Sequence, residues 1–112
     1  MRTYDDLCDA MRACGLPFAR ISWEPLDPED IPPLPNVILM PQRTRNAMAD
    51  NGLSCRITPY NVELYANGSS IELEERVEAA LEAAGFAFDR YTVPLGDGIT
   101  ETVWGGLDCI GI

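Results

Sequence analysis

Residues able to perform acid–base or nucleophilic chemistry are few in this sequence. Histidine and lysine are both absent, and all eight basic residues are arginine. Without histidine, serine and cysteine nucleophiles lack their usual base, and most zinc sites lose a ligand type. We therefore predict that the protein is not an enzyme and that it holds no metal or cofactor.

Carboxylates could still bind a hard cation, and Asp27, Glu29 and Asp30 lie close together. Their spacing lacks the glycine and the final glutamate of a calcium loop, and the neighbouring prolines suit a solvated connector. Gly96 and Gly98 could suggest a phosphate cradle. No predicted helix follows them and no lysine is present, so a hairpin turn is the better interpretation.

Thiols and indoles give no stronger signal. Six residues apart on one predicted helix, Cys8 and Cys14 would be separated by about 9 Å of helical rise, too far for a disulfide. Trp23 and Trp104 each lie in an alternating segment, which favours packing in the core or an interface over ligand stacking. No close metal-binding pair occurs among the four cysteines, Cys8, Cys14, Cys55 and Cys109. We predict reduced, partly buried thiols.

The composition is that of a globular protein with a strong negative charge. Hydrophobic residues make up 46% of the 112 residues and charged residues 23%, so the chain is expected to fold, with room for one domain over 1–112. The formal net charge of −10 disfavours binding to nucleic acid or to an anionic membrane. The acidic residues are interpreted as solubilising, with DNA mimicry as a minor alternative.

Targeting signals are not evident in the sequence. The first residues, Met-Arg-Thr-Tyr-Asp-Asp, lack the apolar core of a secretory signal. No apolar run approaches the ~20 residues that cross a bilayer as a helix. We therefore expect the protein to be made in the cytoplasm, without membrane contact.

Apolar spacing predicts a first helix over residues 3–14. Thr3 and Asp6 form a capping-box pattern at its start. Gly15 can adopt the left-handed conformation that ends a helix, and Pro17 prevents continuation.

A second helix is predicted over residues 70–84, after a turn at Asn67-Gly68. Ser69 is the expected cap, Glu72 completes the capping box, and Gly85 ends the helix. The predicted buried stripe consists of Leu73, Val77, Ala80, Leu81 and Ala84.

Five strands are predicted from alternating or continuous apolar runs, at 18–24, 37–40, 53–66, 86–95 and 99–109. Turn signals at Asp50-Asn51-Gly52 and Gly96-Asp97-Gly98 precede the third and fifth of them. Residues 24–36, with five prolines and four acids, are expected to form an extended surface connection. In the third strand the core face is assigned to Tyr60, Val62 and Leu64, opposite Asn61, Glu63 and Tyr65.

The fold class that follows is α+β, with two helices packed on a mainly antiparallel sheet. The predicted element order is α-β-β-β-α-β-β. Nothing in this architecture points to a catalytic centre, so we expect the protein to act by assembling with other proteins.

Four pieces occur in a distinctive order: Ala49-Asp50-Asn51, the strand Tyr60-Asn61-Val62-Glu63-Leu64-Tyr65, the Glu-rich helix 70–84, and the aromatic segment 86–89. In this order the chain resembles small tail proteins of long-tailed bacteriophages and prophages, of the tail terminator or minor tail component type. The N-terminal helix with Gly15-Leu16-Pro17 extends the resemblance over most of the chain. Residues 102–106 depart from it, replacing an expected Tyr-x-Val-x-Tyr strand.

The resemblance implies a structural role in the virion. Such proteins form a ring, usually hexameric, that stops polymerisation of the tail tube and joins the tail to the head connector. The implied partners are other copies of the chain, tail-tube proteins and head-connector proteins. DNA would pass through the ring without specific binding, and acidic residues facing the channel would avoid lasting phosphate contacts.

Two alternatives come from other classes of function. The first is a small acidic cytoplasmic binding module that inhibits a basic partner or mimics its ligand. The second is a hydrolase or transferase that uses carboxylates alone. Tail-tube, tape-measure and portal genes beside this one would favour the virion protein.

Charge is segregated along the chain in a way that predicts an assembly contact. Residues 36–62 contain three arginines and a single acid, whereas the second helix contains five glutamates and one arginine. A ring needs two different surfaces that meet head to tail, and opposite charges would guide that encounter. The hypothesis pairs Arg43 and Arg45 of one copy with the helix of the next. The candidate interface residues are Arg43, Arg45, Arg56, Glu72, Glu75 and Glu78.

Overall fold

The computed structural model describes residues 2–48, 54–68 and 71–111, which form two α-helices and one six-stranded sheet. The helices are α1 (Tyr4–Cys14) and α2 (Ile71–Ala83). The strands are β1 (Phe18–Arg20), β2 (Asn36–Pro41), β3 (Arg45–Met48), β4 (Ser54–Asn67), β5 (Asp89–Gly96) and β6 (Ile99–Gly111). The predicted α+β class is confirmed, and the structure adds one short strand, β3, to the predicted order.

The ends of α1 follow the local signals in the sequence. The Thr3 hydroxyl accepts a hydrogen bond from the Asp6 backbone at 3.2 Å, and the Asp6 carboxylate accepts one from the Thr3 backbone at 2.9 Å. These two bonds satisfy N–H groups that a helix start leaves without intrahelical partners. At the other end Gly15 has φ 74°, the left-handed conformation that glycine adopts at little steric cost.

The end of α2 is also stopped by a glycine. Gly85 has φ 86° and its N–H donates to the Glu82 carbonyl at 2.9 Å, while the Phe86 N–H donates to the Leu81 carbonyl at 3.1 Å. This pair of bonds is the Schellman arrangement, which returns the chain toward the helix. Phe86 is therefore buried in the core. The strand β5 begins three residues later, at Asp89, and the predicted strand start at residue 86 is wrong. The predicted Ser69 cap lies outside the described residues.

The sheet runs β1-β2-β4-β6-β5, and β3 pairs with the same edge of β4 as β2 does, nearer its start. β1 and β2 are parallel, and every other pairing is antiparallel. β6 therefore pairs with β4 on one side and with β5 on the other. Residues 102–106 thus lie within a paired strand of the sheet, although they depart from the strand that the resemblance predicts. The register of β6 against β4 shifts between Tyr60 and Val62, where Gly106 adopts φ 80°.

The hairpin between β5 and β6 confirms the predicted turn. Gly96 pairs with Ile99, leaving Asp97 and Gly98 as a two-residue loop. Their φ angles of 55° and 76° are both positive, as a type I′ turn requires. The predicted turn at Asp50-Asn51-Gly52 lies outside the described residues.

The first predicted strand, 18–24, is too long. β1 ends at Arg20, and Ile21 has φ 71°, a left-handed conformation that is unfavourable for a β-branched residue. The chain leaves the sheet there, so the alternation that the sequence predicted as far as Trp23 ends at Arg20. The proline-rich segment then includes a short 3-10 turn at Pro28–Asp30 and returns to the sheet at Asn36.

The core lies between the helices and one face of the sheet. Leu7 and Met11 of α1, Leu81 of α2 and Trp104 of β6 are each 0% exposed. On β4 the predicted alternation is confirmed, since Tyr60, Val62 and Leu64 are buried while Asn61, Glu63 and Tyr65 are half-buried. Of the stripe predicted for the second helix, Val77 and Leu81 are buried, whereas Leu73, Ala80 and Ala84 are half-buried and pack against the core.

Candidate protein interface

Both α-helices pack on the same face of the sheet, and within residues 2–48, 54–68 and 71–111 no α-helix covers the second face. The sheet side chains in the core cluster with α1 and α2, such as Leu39, Val62 and Trp104, all share the first face. The residues that alternate with them point to the second face, and they include Glu63, Tyr65 and their β6 neighbour Glu101. We call this second face the open face.

Part of the open face is covered by the segment that follows β1, and a pocket of about 450 Å³ lies at its margin. Four parts of the chain supply its aliphatic and indole side chains: Ile21 and Trp23, Ile31 and Leu34, Ile38 of β2, and Leu95 with Ile99 across the β5–β6 hairpin. Ile21 and Leu95 remain 47% and 51% exposed. Large apolar side chains gathered around an open pocket are typical of a surface that receives another molecule.

Tyr65 joins this pocket to two carboxylates. Its ring lines the pocket, and its hydroxyl lies 3.0 Å from Oε1 of Glu63 and 2.6 Å from Oε2 of Glu101. We call these three residues the carboxylate cluster. Because a phenol has one proton, the hydroxyl donates fully to one carboxylate at a time. The cluster places two acidic groups beside an apolar surface.

Burial dominates the electrostatics of the carboxylate cluster. It raises the pKa of Glu63 above its usual range, the Tyr65 hydrogen bond lowers that pKa, and the charge of Glu101 raises it. Burial, followed by the hydrogen bonds to the two carboxylates, also raises the pKa of Tyr65, so the phenol keeps its proton. An incoming cation would stabilise the ionised form of Glu63 and relieve its repulsion from Glu101.

Two glutamates of α2 face the sheet instead of solvent. Glu74 is buried, and its Oε1 accepts from the Thr102 hydroxyl at 2.7 Å and from Thr92 at 3.3 Å. One turn later, Oε1 of Glu78 accepts from Nε1 of Trp104 at 3.2 Å and from Nη1 of Arg90 at 3.3 Å. These bonds attach α2 to β5 and β6, so neither carboxylate is free to serve as an outward-facing charge.

The six predicted interface residues do not share one role. Arg43, Arg56, Glu72 and Glu75 are exposed. Arg45 is also exposed but forms an ion pair with Asp108 of its own chain at 3.0 Å. Glu78 is engaged by Trp104 and Arg90, which weakens the idea that it faces a neighbouring copy. Arg45 lies on β3, Arg43 lies two residues before it, and Arg56 lies at the start of β4; the register places Arg45 and Arg56 on opposite faces of the sheet. The exposed α2 glutamates lie elsewhere.

Sequence reasoning did not select the carboxylate cluster. Alternation along β4 already indicated that Glu63 and Tyr65 share the wetter face. Glu101 lies 36 residues away, and its position beside Tyr65 depends on the register of β4 against β6. The sequence signal for the cluster was Glu101 itself, a charged residue two positions after the start of the strand that follows the Gly96-Asp97-Gly98 turn.

The thiols and indoles have ordinary structural environments. Cys8, Cys14 and Cys109 are buried and free, as predicted, while Cys55 is half-buried. Burial raises the pKa of the Cys109 thiol to about 12, so this thiol stays protonated and unreactive. Trp104 is in the core and Trp23 lines the pocket.

Among residues 2–48, 54–68 and 71–111, no group of three or more Cys, Asp or Glu side chains is arranged to hold a metal ion. Within these ranges, no helix has the length and apolarity that a membrane crossing requires.

Comparisons with known proteins add no assignment. No protein-family model matches the chain, and a search of curated proteins gave no match.

Proposed function

We propose that this protein is a structural component of a phage or prophage virion. Its role would be that of a ring-forming tail terminator, or of a neighbouring neck or tail component, that ends growth of the tail tube and joins tail to head. The observation that carries the proposal is the open face, where exposed apolar side chains surround a pocket beside two carboxylates. A surface of this kind suits assembly with another protein.

The resemblance to phage tail terminator and minor tail proteins implies a ring of identical subunits, and the fold is compatible with such a ring. A subunit of a closed ring needs two different contact surfaces. The arginines around β3 and the acidic open face supply one basic and one acidic surface.

Deleting the gene from the phage or prophage that encodes it tests this proposal. We expect tail tubes of irregular length and heads without attached tails, visible by negative-stain electron microscopy. A plasmid copy of the gene should restore uniform tails, and a copy with an early stop codon should not. Normal virions from the deletion strain would refute the proposal.

A second candidate function is an acidic binding module that occupies a basic partner. The net charge of −10 and the half-buried carboxylates beside an apolar pocket favour it. Immunogold labelling of purified virions separates the two candidates, because a virion component is retained at the head–tail junction or tail and an inhibitor is not.

A further inference from the structure

Charged surfaces of opposite sign lie at opposite ends of β4. At its start, β3 pairs with residues 54–57, and this region carries the exposed side chains of Arg43, Arg45 and Arg56. We call it the arginine arm. Near the other end of β4 lies the carboxylate cluster with its apolar pocket, which we call the acceptor site.

The two surfaces are too far apart to meet within one molecule. Arg56 and Tyr65 are nine positions apart on the same strand, which corresponds to about 30 Å at the usual rise of a β-strand. An arginine side chain spans a small part of that distance. Any contact between the arm and the acceptor site must therefore join two chains.

The exposed arginines of this chain give a second copy the cations that the acceptor site would bind. With a net charge of −10, two copies repel each other unless the contact itself pairs opposite charges. Arg12 and Arg90 are already paired with Asp9 and Glu78 of their own chain. Within the described residues, Arg43 and Arg56 form no intrachain ion pair, so both are available for the contact.

The acceptor site offers what a guanidinium group requires. Glu63 and Glu101 present carboxylate oxygens around one phenol, and an arginine can bond to carboxylate oxygens with two parallel N–H groups. The apolar pocket beside the cluster can receive the methylene groups of an arginine side chain from the arm. Exclusion of water there strengthens the attraction between the guanidinium group and the carboxylates.

We propose that the arginine arm of one copy docks on the acceptor site of the next, so that copies associate head to tail. This inference deepens the proposed ring function and rests on it. It is an alternative to the predicted contact between the arm and α2, of whose three named glutamates Glu78 is engaged within its own chain while Glu72 and Glu75 are exposed. Repeating a head-to-tail contact closes a ring when the rotation between copies allows it.

Two variants test the two surfaces separately. The donor variant carries Arg43→Glu with Arg56→Glu, and the acceptor variant carries Leu95→Asp at a half-exposed pocket position. We expect each variant to weaken self-association by about tenfold or more at intermediate salt, measured by sedimentation velocity. Circular dichroism and thermal unfolding establish that each variant is folded.

Each variant has a matched control. Arg12→Glu with Arg76→Glu changes the net charge by the same amount as the donor variant but alters helix positions. Tyr91→Asp introduces an acid at an exposed β5 residue on the same face as Leu95, outside the pocket. Both controls should associate like the wild type.

Mixing the donor and acceptor variants gives the decisive measurement. Each keeps one intact surface, so the mixture should form a 1:1 dimer of about twice the 12.3 kDa chain mass and nothing larger. Wild-type mass for either variant, a monomeric mixture of the two, or a monomeric wild type at all concentrations would overturn the inference. None of these results decides the tail phenotype of the gene deletion, so the proposed function is judged by its own experiment.

Discussion

At the scale of single residues, the Tyr65 phenol shows how neighbours determine chemistry. One hydroxyl serves two carboxylates, at 3.0 Å and 2.6 Å, on a sheet face that is half-buried. Burial and the charge of Glu101 both raise the pKa of Glu63, so the folded state favours the protonated acid more than the unfolded state does.

This raised pKa predicts a pH dependence of stability. Stabilisation from Glu63 is fully present below its ordinary pKa of 4.5 and is lost as pH rises through the higher folded value. Glu63→Gln, which stays neutral, should therefore be more stable than wild type at neutral pH, by roughly 1 kcal/mol or less because the site is partly solvated. The difference should shrink toward pH 4.5 and below in urea unfolding.

Glu75→Gln is the control for this prediction, because Glu75 is exposed on α2 beyond its first turn. It should give no comparable pH-dependent difference. A Glu63→Gln protein that is less stable than wild type at neutral pH would show that the ionised cluster is favourable in the folded monomer.

At the scale of elements, α2 is attached to the sheet by polar as well as apolar contacts. Glu74 is 8% exposed and accepts two hydroxyl hydrogen bonds from β5 and β6. Buried hydrogen bonds to a charged group contribute more than neutral ones, and removing one partner leaves the others without an acceptor.

Glu74→Ala is therefore expected to destabilise the protein by roughly 1–3 kcal/mol. The hydroxyls of Thr92 and Thr102 would keep each other, at 3.1 Å, but lose the carboxylate. Glu75→Ala, at the adjacent exposed position, should change the free energy of unfolding by about 0.5 kcal/mol or less. Equal effects of the two substitutions in urea denaturation would contradict this account of α2.

The segment between β1 and β2 behaves differently from the regular elements around it. Residues 24–30 are exposed, and the five prolines of residues 24–36 remove backbone donors. We predict that the amides of residues 24–30 exchange with deuterium faster than those of α2, by at least tenfold, because few are held in regular structure. Exchange as slow as in Ile71–Ala83 would contradict the prediction.

At the scale of the whole molecule, two electrostatic effects of different range oppose each other. The net charge of −10 repels a second copy over long distances, whereas the arm and the acceptor site attract at contact. The Debye length is about 10 Å at 0.1 M salt and about 3 Å at 1 M. Added salt therefore screens the long-range repulsion first and the close pairs later.

Self-association should consequently be strongest at intermediate salt. We expect the association constant to rise several-fold from low salt to roughly 0.1 M and to fall again toward 1 M. In the Arg43→Glu, Arg56→Glu variant the fall at high salt should disappear, because the attractive pairs are gone. Static light scattering across a salt series measures both, and a steady increase for the wild type would contradict paired charges at the contact.

Local features of this protein followed from the sequence by itself. The Thr3–Asp6 capping box, the glycine stops at 15 and 85 and the Asp97-Gly98 turn each depend on residues a few positions apart. Alternation at 60–65 likewise identified which side of β4 is buried, because successive side chains point to opposite faces. The α+β class followed from these elements together.

The tertiary structure decided the features that depend on distant residues. The early end of β1, the added strand β3 and the burial of Glu74 all follow from strand pairing and helix docking. Tyr65 meets Glu101 because β4 and β6 pair in one register, and a shift by one residue would move either side chain to the opposite face. The candidate interface is therefore a product of sheet register, which no short stretch of sequence specifies.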